Sequence, residues 1–415
     1  DGFSTFFTVV ILIVAAITVF LANDYTARHT VFLGEFYALL LFCCAGMALV
    51  VSAADLIIVL LGIEILSIAL YVLSGFSRAR ATALEAAMKY FLLGAFSLSF
   101  LIYGTAFVFG VVHSTRFGAI AQALRPGAAV SLLSNPLLLA GLGLILVGFA
   151  FKLSFVPFHM WTPDAYEGAP TPITAFMSVA TKAAVFAALL RFLSFAVPSL
   201  RPEWAAVLWA LAALTMVIGN IAAIAQSSVK RMLAYSSIAQ AGYILVGAVA
   251  GDALSQPAVM FYLLAYAFMN VGAFAVLMAI GGDEGAGDAD PTISDLNGLG
   301  QRWPLLAGAM TIFMLSLAGI PLTAGFIGKL YVFTAALRAG YGELVVIGVL
   351  TSAVATFYYL RIIAAMWMRP AEEGAPPIRV TGALSTLLVV LVIGTIALGV
   401  LPAGPLGLAS AAALP

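Results

Sequence analysis

Long apolar stretches separated by short polar turns dominate the hydrophobic pattern of this chain. About twelve stretches are long enough for an α-helix to cross about 30 Å of hydrocarbon at about 1.5 Å per residue. We predict membrane spans near residues 5–22, 31–50, 54–76, 83–111, 137–161, 172–197, 204–225, 232–250, 257–280, 304–337, 343–367 and 382–402. The pattern therefore predicts an all-α integral membrane protein, with residues 1–415 forming a single polytopic membrane domain.

Two of the predicted spans contain helix breakers beside a lysine. Lys152 lies shortly before Pro157 in the first, and Pro321 lies shortly before Lys329 in the second. Proline removes a backbone donor, so nearby carbonyl groups inside the membrane need side chains or water as partners. A pair of interrupted helices, one in each half of a chain, is typical of inverted repeats with a site at each break. A simple packing kink is the alternative for either one.

Composition agrees with a lipid environment and excludes several classes of function. Of the 415 residues, 64% are hydrophobic and only 9% are charged, which no water-soluble core of this size needs. The formal net charge is zero and no long basic run occurs, so a nucleic acid is not expected as a partner. We expect membrane lipids, protons and water as the immediate partners of the spans.

The sequence offers no recognisable cofactor site. Cys43 and Cys44 are adjacent within an apolar stretch and lack the spacing of zinc or iron–sulfur ligands. Neither a dinucleotide fingerprint nor a phosphate loop is present, since Leu330 follows Lys329 where a phosphate loop needs a hydroxyl residue. We therefore expect no cofactor or metal in this chain and any redox reaction in another chain.

Lysine and arginine are distributed differently along the sequence. Only five of the 18 basic side chains are lysine, and Lys89, Lys152, Lys182 and Lys329 fall inside apolar spans, whereas nearly all arginines lie at span ends or in loops. Arginine stays charged in proteins, but a lysine removed from water releases its proton more readily. A buried ammonium costs a few kcal/mol at bilayer depth. We interpret Lys152, Lys182 and Lys329 as groups that carry protons rather than as structural residues.

Two further candidates have structural alternatives that stay open. Lys89 lies about two turns into its span, where it could reach the membrane surface or pair with Glu85 four residues earlier. His159 closely follows the first break and could relay a proton through its two ring nitrogens, or it could be a hydrogen-bonded interface residue.

Glu64 is the clearest acidic candidate because it lies in the middle of an apolar span. An unpaired carboxylate there would be strongly penalised, so we predict a buried lysine on a neighbouring helix as its partner. Such a pair can alternate between charged and proton-sharing states, although a passive ion pair is the alternative. Other polar residues within spans could hold water, with ordinary interhelical hydrogen bonding as the simpler interpretation: Asn220, Tyr235, Ser236, Ser237, Gln240 and Asn270.

Three segments resemble a known family. They read GFAFKLSFVPFHMWTPD at residues 148–164, VKRMLAYSSI at residues 229–238 and LAGIPLTAGFIGK at residues 317–329. In these segments, and over essentially its whole length, the chain resembles subunit N of the proton-pumping NADH:quinone oxidoreductase, respiratory complex I. That subunit is related to the membrane subunits of multi-subunit sodium/proton antiporters.

The resemblance implies a larger helical architecture than the pattern predicts. The family has fourteen helices, which include two inverted five-helix repeats with discontinuous helices; here the repeats would cover about 31–197 and about 204–369. The beginning of the sequence resembles the third helix of the family. We therefore expect the first two helices to be missing from this sequence, which opens with Asp1 rather than methionine.

The resemblance also implies a role for each lysine. Glu64 matches the essential glutamate of helix five, which pairs with Lys152 on broken helix seven, and Lys89 matches a lysine of helix six. Lys182 matches the central lysine of helix eight, and Lys329 matches the lysine of broken helix twelve that lies toward the exit.

These implications together describe a subunit of a bacterial plasma-membrane complex. It would couple electron transfer from NADH to quinone, carried out in other subunits that hold FMN and iron–sulfur clusters, to proton pumping through a buried Glu/Lys relay. Its neighbours would be subunits M, K and J. Two alternatives stay open at this point: an autonomous cation/proton antiporter with the same fold, and a membrane anchor that joins its neighbours without transporting ions.

Overall fold

The structure is a computed structural model that describes residues 1–29, 33–77, 80–125, 135–281, 290–371, 378 and 380–414. These ranges form α-helices and short connections, with two isolated β-bridges, Asp55–Arg116 and Ser228–Thr292, and no β-strand among the residues described. The prediction of an all-α chain is confirmed.

Eighteen α-helices follow one another along the described residues: α1 Gly2–His29, α2 Leu33–Ser52, α3 Leu56–Ser74, α4 Ala81–Val112, α5 Phe117–Ala123, α6 Pro136–Lys152, α7 Trp161–Gly168, α8 Thr171–Phe176, α9 Lys182–Phe195, α10 Arg201–Ile224, α11 Val229–Ala250, α12 Ser255–Ile280, α13 Leu299–Arg302, α14 Pro304–Ala318, α15 Ala324–Arg338, α16 Gly342–Met368, α17 Gly382–Val400 and α18 Ala403–Ala412. A π-helical turn, Met177–Thr181, joins α8 to α9, and 3-10 turns occur at Pro198–Leu200 and Ser294–Leu296.

Every predicted apolar stretch contains at least one of these helices. Ten helical segments of the described chain are long and apolar enough to cross a membrane. Helices α6 and α14 are shorter because the backbone leaves the helical conformation at the two predicted breaks. The prediction of an integral membrane fold with discontinuous helices is thereby confirmed.

Burial separates central helices from peripheral ones. The most apolar stretch of the continuous segment α8–α9 is completely buried, and most of the corresponding stretches of α11 and α12 are buried as well, whereas only about a third or less of those of α4, α16 and α17 is buried. Apolar side chains dominate the exposed surface of the peripheral helices, including Phe96 on α4 and Phe357 on α16. In a bilayer these faces meet lipid or other membrane chains, since apolar side chains are stable there.

The first break follows the end of α6 at Lys152. Side chains satisfy backbone groups that the interruption frees: the Val156 N–H donates to Thr215 Oγ1 of α10 at 2.9 Å, and Trp161 Nε1 donates to the Phe151 carbonyl at 2.9 Å. The break is thus rigidly held by neighbouring helices, as irregular backbone inside a membrane requires.

The second break separates α14 from α15. Gly319 adopts the left-handed conformation with φ +87°, which glycine tolerates without strain. The Gly325 N–H donates to Ser316 Oγ at 3.0 Å, and a Cβ on Gly325 would lie 1.9 Å from the Ser316 carbonyl oxygen. This close backbone approach explains why the second residue of α15 is a glycine. The breaks fall in the fourth span of each predicted repeat, and the repeat boundaries themselves stay a prediction.

Candidate functional site

Three of the predicted lysines lie deep inside the protein. The exposed fractions of Lys152, Lys182 and Lys329 are 3%, 1% and 5%. Lys152 ends the first half of a broken helix, Lys182 opens α9, and Lys329 lies in the helix that follows the second break. None of these ammonium groups therefore lies on the headgroup-facing surface.

Lys152 is held by oxygen atoms and aromatic rings of two other helices. Its Nζ donates to Ser67 Oγ at 2.7 Å and to Tyr71 OH at 3.4 Å, both on α3. The ammonium also lies 5.3 Å from the ring centroid of Tyr71 and 5.4 Å from that of Tyr90 on α4. Aromatic faces attract a cation without neutralising it. Among the described residues, the Lys152 ammonium is therefore stabilised by hydroxyl groups and aromatic rings and not by a hydrogen-bonded carboxylate.

Glu64 does not form the direct ion pair that the sequence predicted. Within the described ranges no salt bridge joins Glu64 to Lys152, although the glutamate charge acts on the ammonium through space. Glu64, Ser67 and Tyr71 follow a spacing of three and four residues and so share one face of α3. The nearest hydrogen-bond partner of Lys152 is Ser67, one turn further along α3 than Glu64.

Lys182 follows immediately after the π-helical turn Met177–Thr181. Its Nζ donates to both the hydroxyl and the backbone carbonyl of Ser237 on α11. Such π-helical turns widen a helix locally and are frequent at functional sites. The turn contains neither proline nor glycine, so no feature of the sequence predicted it.

Several buried hydroxyl groups surround Lys182. Tyr166 and Tyr266 both approach Ser237, but their hydroxyls have no hydrogen-bond partner in the part of the chain that the structure describes. The same holds for the Thr181 hydroxyl and for one side-chain oxygen of Asn270, whose amide donates to Ser178 at 2.7 Å. Buried polar atoms of this kind are usual sites for ordered water.

Lys329 is held by the carbonyl groups that the second break exposes. Its Nζ donates to the Leu317 carbonyl at 3.1 Å, to the Ala318 carbonyl at 2.9 Å and to Ser352 Oγ at 2.7 Å. It also lies 4.6 Å from the ring centroid of Tyr243. The interruption of α14 thus supplies the oxygen atoms that replace water around this ammonium.

Lys89 lies apart from the three buried lysines. Its side chain is 44% exposed, and its Nζ lies 2.7 Å from Glu85 and 2.8 Å from Asp164 on α7. Arg231 of α11 bonds the other oxygen of Asp164 at 2.7 Å and Glu167 at 2.7 Å. The predicted pairing with Glu85 is therefore present, and Asp164 adds a partner on another helix.

His159 lies on the connection between α6 and α7. It is partly buried, and its Nδ1 has no hydrogen-bond partner within the described residues. No hydrogen bond in these ranges joins it to a buried lysine, so the structure does not bring it into the same site.

The sequence analysis did not recognise two further buried cations, Lys230 and Arg191. Lys230, which is 1% exposed, donates to the carbonyls of Glu167 and Ala169 and forms an ion pair with Asp290 at 3.1 Å. Arg191 on α9 is 5% exposed. Arg191 donates to both carboxylate oxygens of Asp1, at 2.9 Å and 2.8 Å, and to Ser4 at 2.8 Å. Lys230 lies at a span end, where a basic residue usually faces water, and Arg191 was grouped with the other arginines.

No metal site is built from the described residues. Within them, no group of three or more His, Cys, Asp or Glu side chains could hold a metal ion.

Comparison with known proteins identifies the family. Residues 53–355 match the family described as NADH:quinone oxidoreductase/Mrp antiporter, transmembrane. NADH-quinone oxidoreductase subunit N of Trichlorobacter lovleyi is 49% identical over 97% of this chain and 81% of its own length. The chain belongs to the family of NADH-quinone oxidoreductase subunit N.

Further relatives agree with this assignment. NADH-quinone oxidoreductase subunit N 1 of Herpetosiphon aurantiacus is 50% identical over 97% of this chain and 82% of its own length. Among solved structures, respiratory complex I from Thermus thermophilus with bound Aureothin contains a similar chain with a TM-score of 0.83 and 40% identity. The similarity covers 99% of this chain and 87% of that one. The predicted resemblance to complex I subunit N is confirmed.

Family membership settles the general activity. The chain is an antiporter-like, proton-translocating subunit of NADH:quinone oxidoreductase, a translocase, and a multi-pass protein of the bacterial plasma membrane. Other membrane subunits of complex I are its partners.

Proposed function

We propose that Lys152, Lys182 and Lys329 are the proton carriers of this subunit. One observation supports the proposal most strongly: among the described residues, each ammonium is held by hydroxyl and carbonyl oxygens and not by a carboxylate. A carboxylate partner at hydrogen-bond distance would hold the proton on the lysine, whereas neutral oxygens leave both protonation states accessible.

Electron transfer starts the cycle in partner subunits. These subunits hold NADH, FMN, the iron–sulfur clusters and the quinone, and the reaction shifts charge along the membrane arm of the complex. In this chain the shift changes the distance between Glu64 and Lys152. Because Ser67 lies one turn from Glu64 on the same face of α3, the ammonium can exchange the serine hydroxyl for the carboxylate through a small displacement.

The charge of Lys152 then acts on Lys182. When Lys152 is held by Glu64, its positive charge is compensated and Lys182 retains a proton; when Lys152 is released, like-charge repulsion favours proton loss from Lys182. The buried hydroxyls of Tyr166, Tyr266 and Thr181 around Lys182 support a hydrated centre through which that proton leaves.

Lys329 receives the proton on the way to the exit. The carbonyls of Leu317 and Ala318 and the hydroxyl of Ser352 stabilise its charged form. The broken helix thus gives the second half of the chain a proton site without a continuous water channel. Lys89 and His159 have supporting roles in this scheme, Lys89 within the charged cluster around Asp164 and His159 at the turn after Lys152.

We also propose that subunit M and the small subunits K and J are the neighbours of this chain. The similarity to a chain of complex I over 99% of the present sequence supports this assignment.

The proposal is tested by replacing lysines in the complete complex. Lys152→Ala and Lys329→Ala complexes, reconstituted in sealed vesicles, should pump fewer protons per NADH oxidised than the wild type. Thr395→Ala is a matched control, because Thr395 is buried on α17 and bonds only the backbone carbonyl of Leu391 among the described residues. Normal pumping in both lysine variants would refute the proposal and would favour a membrane anchor.

A further inference from the structure

Gln240 is a buried side-chain amide in the centre of the protein that is hydrogen-bonded to three other helices. It lies in the middle of α11 and is 1% exposed. Its Nε2 donates to the Leu317 carbonyl of α14 at 2.9 Å and to Tyr359 OH of α16 at 3.3 Å, and its Oε1 accepts from Tyr262 OH of α12 at 2.5 Å. One amide therefore joins α11 to three other helices.

The same amide lies between two of the proposed proton sites. Lys182 donates to Ser237, which precedes Gln240 by three residues on α11 and so shares its face. Lys329 donates to the Leu317 carbonyl, the same oxygen that accepts from Gln240. Along this face of α11, the Gln240 amide therefore lies between Ser237, which binds Lys182, and the Leu317 carbonyl, which binds Lys329.

An amide is chemically different from the groups on either side of it. Lysine, tyrosine and serine have an exchangeable proton or a free lone pair through which a proton can be passed on. The glutamine side chain donates and accepts hydrogen bonds, but its amide neither gains nor loses a proton under physiological conditions. A hydrogen-bonded chain that includes this amide is therefore interrupted for proton transfer at that residue.

Tyr359 holds the amide in one orientation. Its hydroxyl also bonds Ser236, one turn before Gln240 on α11, so both residues are tied to α16 through one tyrosine. With both amide hydrogens and the amide oxygen bonded, rotation of Gln240 requires several hydrogen bonds to break together.

A comparison of the two halves supports a special role for this position. Glu64 and Gln240 each lie in the second span of a predicted repeat, and each lies close to the lysine of the broken fourth span. In the first repeat this position is occupied by Glu64, an acid whose charge can change. In the second repeat it is occupied by Gln240, a neutral amide whose charge cannot change.

We propose that Gln240 is a positioning residue that keeps the proton sites of Lys182 and Lys329 separate and orients the Leu317 carbonyl toward Lys329. Proton transfer between the two lysines then requires a displacement of the second break, which breaks the bond from Gln240 to Leu317. The inference rests on the proposed function, since it assumes that both lysines carry protons.

The test uses Gln240→Glu in the complete complex in sealed vesicles, with protons pumped per NADH measured as a function of pH. A protonated carboxyl has nearly the shape of the amide and still offers a donor to Leu317 and an acceptor to Tyr262. An ionised carboxylate cannot donate, and it holds the Lys329 ammonium. We expect the number of protons pumped per NADH in Gln240→Glu to fall with rising pH, through a titration step that the wild type lacks.

Two further variants make the result decisive. Gln226→Glu is the matched control, because Gln226 is half-buried just after the end of α10 and its side-chain amide bonds only Ala222 within the described residues; this variant should behave as the wild type. Gln240→Met has a similar length and neither titrates nor forms hydrogen bonds, so pumping should be reduced at every pH.

The outcomes separate this inference from the proposed function. The role of Gln240 would be overturned if Gln240→Glu pumped as many protons per NADH as the wild type at every pH, or if Gln240→Met pumped as the wild type does. If these variants behave as expected and Lys329→Ala in the same preparation still pumps normally, the proposed lysine relay fails instead.

Discussion

A charged amine inside a membrane protein is stable only where oxygen atoms replace its water. Lys152 and Lys329 show two ways of supplying them. Lys152 uses the side chains of Ser67 and Tyr71 on a neighbouring helix, and Lys329 uses backbone carbonyls of a broken helix. Both solutions avoid a permanent counter-charge, which is the property a proton carrier needs.

Ser67→Ala should weaken the Lys152 site. Removing the hydroxyl leaves the longer bond to Tyr71 as the remaining hydrogen bond of the ammonium among the described residues, so the free energy of unfolding should fall by about 1–3 kcal/mol. Because Lys152 then moves toward Glu64, pumping per NADH should also fall. Ser74→Ala, two turns further along the same face, removes a buried hydroxyl bonded to the Leu70 backbone and should leave pumping unchanged. Equal pumping in the two variants would contradict this role of Ser67.

The sequence predicted the location of the lysines but not their partners. Lys152, Lys182 and Lys329 had to be buried because they lie within apolar spans that pack into one domain. Lys152 bonds Ser67 rather than Glu64, one turn earlier on α3, and this choice depends on how distant helices pack, which a single sequence does not contain. For the same reason Asp164 was not recognised as a partner of Lys89.

At the scale of helices, the interruptions determine where polar groups can exist inside the membrane. The first break lies between α6 and α7, and the second lies between α14 and α15. Both were predicted because proline and glycine are visible in the sequence. The π-helical turn before Lys182 has no such residue, and the short helix α7 lies within a polar segment, so neither could be predicted.

Gly325→Ala should destabilise the second break. The added Cβ would meet the Ser316 carbonyl oxygen at 1.9 Å, so the two half-helices must separate, at a cost of about 1–3 kcal/mol. The temperature of thermal unfolding of the purified complex should fall accordingly. Gly308→Ala on α14 is the matched control, because a Cβ there meets nothing within 4 Å. An unfolding temperature of Gly325→Ala as high as that of the control would show that this close approach is absent.

At the scale of the whole molecule, charged residues join the two halves of the chain. Asp164 links Lys89 of α4 to Arg231 of α11, and Asp290 links Arg80 to Lys230 of α11. The family and the membrane architecture were predictable because apolar spans and contiguous motifs are local properties. These links join residues far apart in sequence, so the pattern gave no sign of them.

The charged groups around Asp290 and those around Asp164 should differ in their contribution to stability. Lys230 is 1% exposed and Asp290 is 12% exposed, so Lys230→Ala removes the buried cation of a largely buried ion pair and should cost about 3–5 kcal/mol. Lys89 is 44% exposed, so water and salt screen its pairs and Lys89→Ala should cost about 1 kcal/mol or less. The thermal unfolding temperatures of the Lys230→Ala and Lys89→Ala complexes measure the difference. A lower unfolding temperature for Lys89→Ala than for Lys230→Ala would contradict the burial of Lys230.

The most direct test of the lysine relay is the number of protons pumped per NADH by a Lys182→Arg complex in sealed vesicles. Arginine keeps the positive charge and the hydrogen bonds to Ser237 but does not release its proton, so we expect a fully assembled complex with a reduced ratio. Lys230→Arg, a change of the same kind at a buried structural lysine, should pump as the wild type. A wild-type ratio in Lys182→Arg would show that protons do not pass through Lys182.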